Sequence, residues 1–153
     1  MPCHVAIDKK SAVVGPDVTV EAALEKIRKE NLSGIAVQDE QGELIGLFTA
    51  KTLLGNIIPV SIAMSDGIQI DVKIEAAPGV AKRLRKMYPL SITEGMERKF
   101  DTVGTDAPIW EGVTKITKYG GPLAVLDSKG KFKGLITSES LVKALENTEE
   151  MDA

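Results

Sequence analysis

The sequence predicts an α/β (α+β) protein built from two copies of a βαββα unit packed as one pseudo-symmetric module. Three observations carry this. Val13–Ile27 (VVGPDVTVEAALEKI) aligns with Thr102–Ile116 (TVGTDAPIWEGVTKI), sharing V-G-x-D and a final Lys-Ile. Ile35–Leu54 (IAVQDEQGELIGLFTAKTLL) aligns with Leu123–Val142 (LAVLDSKGKFKGLITSESLV), sharing Ala-Val, Asp, two Gly, Leu, Thr and Leu. Val14 matches Val103 at an offset of 89 and Leu47 matches Leu135 at 88, so one deletion before Gly121 relates the copies. Repeats of this kind fix the architecture before any single element is assigned.

Each copy has the same order of elements. Apolar residues at Val20, Ala23, Leu24 and Ile27 follow a helical period, with Asp17 or Thr19 as the N-cap. Gly34 breaks the chain before a short buried strand, IAVQ. Asp39-Glu40-Gln41-Gly42 reads as a hairpin turn, and Glu43–Phe48 as the returning strand. Thr49 caps a second helix that runs to about Ile57 and stops before Pro59. In the second copy the helix starts at Ile109. The strands are Leu123–Leu126 and Phe132–Ile136, joined by a turn over Asp127–Gly130, and the last helix is Ser138–Glu146. A short strand, Ala12–Val14 or Asp101–Val103, leads each copy.

These readings divide the chain into a first unit at 5–58, an inserted linker at 59–95, a second unit at 96–147 and a frayed tail at 148–153. A unit of about 50 residues is marginal alone, so the two are expected to pack sheet to sheet. In the linker, Ile68, Ile70, Val72 and Ile74 alternate with polar residues as a half-buried strand, and Ser65-Asp66-Gly67 allows a hairpin. Val80, Leu84, Met87 and Tyr88 then form a helical stripe. The linker is expected to be ordered against the module.

The bulk composition narrows the function. The chain has 153 residues, a net charge of −3 and 27% charged residues, which disfavours nucleic acid as a partner. No apolar run nears the roughly 20 residues that span a bilayer, and no leader is visible, so a cytoplasmic protein is expected. Cys3 is the one cysteine and His4 the one histidine. Next to each other at a terminus, they leave a zinc site incomplete and supply no catalytic set, so no enzyme is expected. The basic run Lys82–Lys86 reads as the solvated face of its helix.

With its apolar-Val-x-Asp-x-x-Gly hairpin and Gly-apolar-apolar-Thr-x-x helix start in both halves, the chain resembles a tandem pair of CBS domains (a Bateman module) over about 12–55 and 101–146. The resemblance implies a regulatory module without a required cofactor. It would sense AMP, ADP or ATP in clefts between the units, form a homodimer and act on an effector protein. It also implies ligand contacts. Thr49 and Thr137 match the hydroxyl that meets phosphate. Thr52 and Ser140 stand where the family has a ribose-binding Asp, so both units lack that carboxylate. Ser33, Gly34, Ile35 and Ala36, and Gly121, Pro122 and Leu123, match the segments that frame the base. Lys51, in the first turn of its helix, favours a phosphate there, whereas its counterpart Glu139 opposes one, so the Thr49 cleft is expected to bind better. Ala23, Ile27, Trp110 and Val113 are expected to form a self-complementary dimer patch.

Overall fold

In a computed structural model that describes residues 1–58 and 79–148, each copy folds as a three-stranded sheet with two helices. The first comprises β1 (Ser11–Val14), α1 (Val20–Glu30), β2 (Gly34–Gln38), β3 (Leu44–Phe48) and α2 (Ala50–Ile57). The second comprises β4 (Thr102–Gly104), α4 (Ile109–Tyr119), β5 (Leu123–Leu126), β6 (Phe132–Ile136) and α5 (Ser138–Glu146). Between them lies α3 (Val80–Met87). The expected hairpin at 60–74 lies outside the described residues. Both sheets have the middle strand parallel to the first and antiparallel to the third, in the orders β1-β2-β3 and β4-β5-β6.

The middle strands are apolar on both faces because both faces are covered. Ile35 and Val37 join Phe48, Val20, Ala23 and Leu53 in the core of the first unit. Leu123 and Val125 do the same with Ile136, Val103 and Leu141 in the second. On the opposite faces, Ala36 and Leu47 meet Ala124 and Leu135, a layer that joins the two sheets. Thr19, rather than Asp17, caps α1 by accepting from Ala22 N at 3.1 Å. In the hairpin turns one carboxylate oxygen organises the loop: Asp39 accepts from the N–H groups of Gln41 and Glu43, and Asp127 from those of Lys129 and Lys131. The N–H of Lys131, then that of Lys129, then the Lys133 cation hold the Asp127 carboxyl below its usual range.

The repeat extends further upstream than the sequence alignment reaches. The chain before each β-unit crosses to the other unit and completes its core. Residues preceding β1 form a 3-10 turn, Cys3–Ala6, and bury Cys3 and Ala6 in the second unit. Residues preceding β4 form a matching turn, Ile92–Glu94, and bury Ile92 and Met96 in the first unit. The hydrogen bonds match pairwise. Ile109 N donates to Met1 O as Val20 N donates to Leu90 O, and Asp8 bridges to Leu135 as Glu97 bridges to Leu47. Glycines make room for the crossing: a Cβ on Gly46 would collide with the Met96 side chain, and one on Gly134 with Ile7.

Only part of the linker's apolar stripe lies on the module. Leu84, Met87 and Tyr88 lie on the first core, while Val80 is 41% exposed. Arg83 Nε donates to Ile57 O at 3.0 Å, satisfying a carbonyl at the C-terminal end of α2. The rest of the basic run is exposed, as a solvated face should be.

Two outcomes follow from the crossing. Ile92→Ala, which empties a fully buried site in the first unit, should cost about 3 kcal/mol in denaturant unfolding. Removing residues 1–7 should accelerate amide exchange in α4 and α5 before α1 and α2; the opposite order would refute the crossed arrangement.

Candidate functional site

The crossing creates two equivalent clefts, each bounded by a helix start from one unit and by the lead segment and pre-strand loop of the other. The first, about 750 Å³, is lined by Thr49, Lys51 and Thr52 from the first unit and by Glu97, Arg98, Lys99, Asp101, Tyr119, Gly121 and Pro122 from the second half. The second, about 910 Å³, is lined by Glu139, Ser140 and Lys143 together with Asp8, Lys9, Lys10 and Ser33. Both volumes suit a ligand the size of a nucleotide.

The helix starts are closed capping boxes. Thr49 Oγ1 accepts from Thr52 N at 3.1 Å, and Thr52 Oγ1 accepts from Thr49 N at 2.9 Å. The Thr52 hydroxyl faces the carbonyls of Thr49 and Gly95, its oxygen 2.9 and 2.8 Å from theirs, and donates to them. Thr52 therefore spends its hydroxyl on the chain, tying α2 to the crossed segment. Thr137 and Ser140 repeat the box at 3.0 and 2.8 Å. The Lys51 ammonium reaches across the first cleft, 3.8 Å from where a Cβ on Gly120 would stand.

The structure sorts the sequence-predicted residues. Thr49, Lys51, Thr52, Gly121 and Pro122 come together in the first cleft, and Ser33 and Ser140 in the second. Gly34, Ile35, Ala36 and Leu123 are buried and line neither cleft. A Cβ on Gly34 would sit 3.0 Å from Leu135 Cδ1 and 3.2 Å from Thr49 Cγ2, so a side chain there would crowd both. Thr137 also lies outside the lining of the second cleft. Ala23 is fully buried in the first core and takes no part in a surface patch, whereas Trp110 is 66% exposed.

The charge argument built on Lys51 and Glu139 changes once the lead segments are in place. Among the described residues, the first cleft sets Lys51, Arg98 and Lys99 against Glu94, Glu97 and Asp101, and is balanced. The second sets Lys9, Lys10 and Lys143 against Asp8 and Glu139, and is net positive. Lys51 alone therefore gives the first cleft no electrostatic advantage. The residues that sequence reasoning missed sit in matching tetrapeptides, Ile7-Asp8-Lys9-Lys10 and Met96-Glu97-Arg98-Lys99. Their shared apolar-acidic-basic-basic pattern was the available signal.

Cys3 is fully buried, and desolvation raises its thiol pKa, so it is chemically quiet. Among the described residues no cluster of His, Cys, Asp and Glu could hold a metal, and no helix is long and apolar enough to cross a membrane.

Comparison with known proteins agrees with this geometry. A family model described as the CBS domain matches residues 5–59 and 91–147. Inosine-5'-monophosphate dehydrogenase of Aquifex aeolicus is 32% identical over 132 residues, covering 85% of this chain. The A-adding tRNA nucleotidyltransferase of the same organism is 25% identical over 134 residues, covering 87% of this chain. The chain spans only 21% and 13% of the lengths of these two curated relatives. Two solved structures share the fold at 20% identity. One is CBSX2 in complex with AMP, with a TM-score of 0.70 and coverage of 97% of this chain and 99% of that one. The other is the CBS domain pair of protein MJ0100 in complex with 5'-methylthioadenosine and S-adenosyl-L-methionine, with a TM-score of 0.65 and coverage of 95% and 99%.

Because the Thr52 hydroxyl closes the capping box and holds Gly95, Thr52→Val should lower the unfolding free energy by about 1 to 2 kcal/mol without any ligand. Equal stability of the variant and the parent in chemical denaturation would show that the hydroxyl has no structural task.

Proposed function

The chain belongs to the CBS-domain family, with two copies of the domain, and from that premise we propose that it is a regulatory module that senses an adenine nucleotide. It binds AMP, ADP or ATP between its units and signals to an effector protein; it does not itself catalyse a reaction. The observation that carries this reading is the matched pair of clefts. Each combines a hydroxyl-bearing helix start, whose geometry suits an anion, with basic side chains from the opposite unit. The AMP and S-adenosyl-L-methionine complexes of proteins with the same fold support the adenosine class.

The module acts as a homodimer in this proposal, in the cytoplasm. Trp110 on α4 and Val142 and Leu145 on α5 are exposed on neighbouring helices, and a second copy would remove them from water. A second reading, a dimerising interaction module with empty clefts, is favoured by one fact: the family's ribose-binding position is held by Thr52 and Ser140, and both hydroxyls are engaged by the chain.

Titration calorimetry with AMP, ADP, ATP and S-adenosyl-L-methionine separates the readings. Saturable heat with at least one adenine nucleotide, weakening with added salt as phosphates accumulate, is the expected result. No heat with any of them at millimolar concentration would leave the interaction module in its place. Static light scattering at tens of micromolar should give the mass of a dimer; a monomer would remove the second copy from both readings.

A further inference from the structure

We infer that Asp8, delivered by the crossed lead segment, is the carboxylate that receives the sugar hydroxyls of a nucleoside phosphate bound in the second cleft. This rests on the nucleotide-sensing reading and adds to it the residue that the helix itself lacks. In the second cleft the helix position that would face a vicinal diol is Ser140, and its hydroxyl already accepts from Thr137 N at 2.8 Å. Of the two acids lining the same cleft, Glu139 is exposed, whereas Asp8 is half-buried and held from two sides. Its Oδ1 accepts from Lys10 N at 2.8 Å, and its Oδ2 accepts from the Ser33 hydroxyl. Ser33 is itself fixed, because its N–H donates to Lys10 O at 2.6 Å.

A carboxylate oxygen has two acceptor directions, so Asp8 keeps one free on each oxygen. Two parallel, charge-assisted acceptors are the arrangement that a diol requires. Because the rotamer is set before binding, little ordering entropy is lost when a ligand arrives. Lys9, Lys10 and Lys143 in the same cleft would meet the phosphate.

The matching acid of the first cleft is not prepared in this way. Glu97 is exposed, has one more rotatable bond and accepts one backbone hydrogen bond, from Lys99 N at 2.9 Å. The counterpart of Ser33 is Gly121, which has no hydroxyl to donate. The two clefts therefore differ in sugar recognition even though their helix starts are alike.

The test is calorimetric titration of the full chain with AMP and with 2',3'-dideoxyadenosine 5'-monophosphate, for the parent, Asp8→Asn, Ser33→Ala and Glu97→Gln. Asparagine keeps an oxygen for Lys10 N, and its amide can donate to the Ser33 hydroxyl once that hydroxyl turns, so Asp8→Asn should still unfold cooperatively with only a small fall in midpoint. The parent should bind AMP about tenfold more tightly than the dideoxy compound. Asp8→Asn should bring the two affinities together, Ser33→Ala should narrow the gap, and Glu97→Gln should leave it. A parent that binds both compounds equally, or an Asp8→Asn variant that keeps the tenfold preference, overturns the role of Asp8 while leaving nucleotide sensing intact. A parent that binds neither compound overturns both.

Discussion

Asp8 bridges to Leu135, and Glu97 bridges to Leu47. These two backbone contacts, one per half, are where a strand of each unit meets the chain that precedes the other unit. The rest of the structure depends on this exchange. It seats Ile92 and Met96 in the first core and Cys3 and Ala6 in the second. It explains why glycine stands at Gly46 and Gly134, where any side chain would strike the incoming Met96 or Ile7. The layer between the sheets has Ala36, Leu47, Ala124 and Leu135 at its centre, with Leu44, Phe100 and Phe132 packed around them. The units are therefore held together by shared cores as well as by their facing sheets.

The same exchange makes the clefts. A helix start offers N–H groups and a hydroxyl, but as a capping box it is locally complete. What turns it into one wall of a cavity is the opposite unit's lead segment and pre-strand loop arriving beside it. The lining of each cleft is thus divided between halves: backbone and hydroxyl groups of a helix start come from one unit, and most of the charged groups come from the other. This division allows the two clefts to diverge without disturbing either helix. Substitutions in a few residues of lead segment change the charge of a cleft while the helix start keeps its cap.

The repeat made the architecture legible in the sequence. Hairpin aspartates, strand runs and helix-start threonines recur with enough identity to be aligned, and each maps to the expected element. The lead segments were missed because Met1–Ser11 and Leu90–Phe100 share little beyond Lys10 and Lys99. What relates them is a pattern of residue classes and a spatial exchange that local periodicity does not encode. Ile35 and Ala36 belong to a strand that reads as buried, yet the resemblance also offers them, with Gly34, as ligand contacts. A strand covered on both faces shows no alternation, so the sequence gives no sign of which residues could reach a ligand. The Lys51 comparison weighs one helix start against the other, while most of the other charges of each cleft lie far away in the chain.

The exchanged segments also govern the order in which the protein can be made. When the first unit leaves the ribosome, its core lacks Ile92, which is synthesised 34 residues after the end of the unit at Ile58. The first turn of the chain, with Cys3 and Ala6, must wait longer still, until β6 and α5 exist to receive it. Neither half can mature as a nascent domain, because the contacts of Cys3 and Ala6 wait for the second unit and those of Ile92 and Met96 complete the first. A contiguous stretch cut from either half and moved into another protein would arrive without its lid. In this molecule the portable unit is the pair.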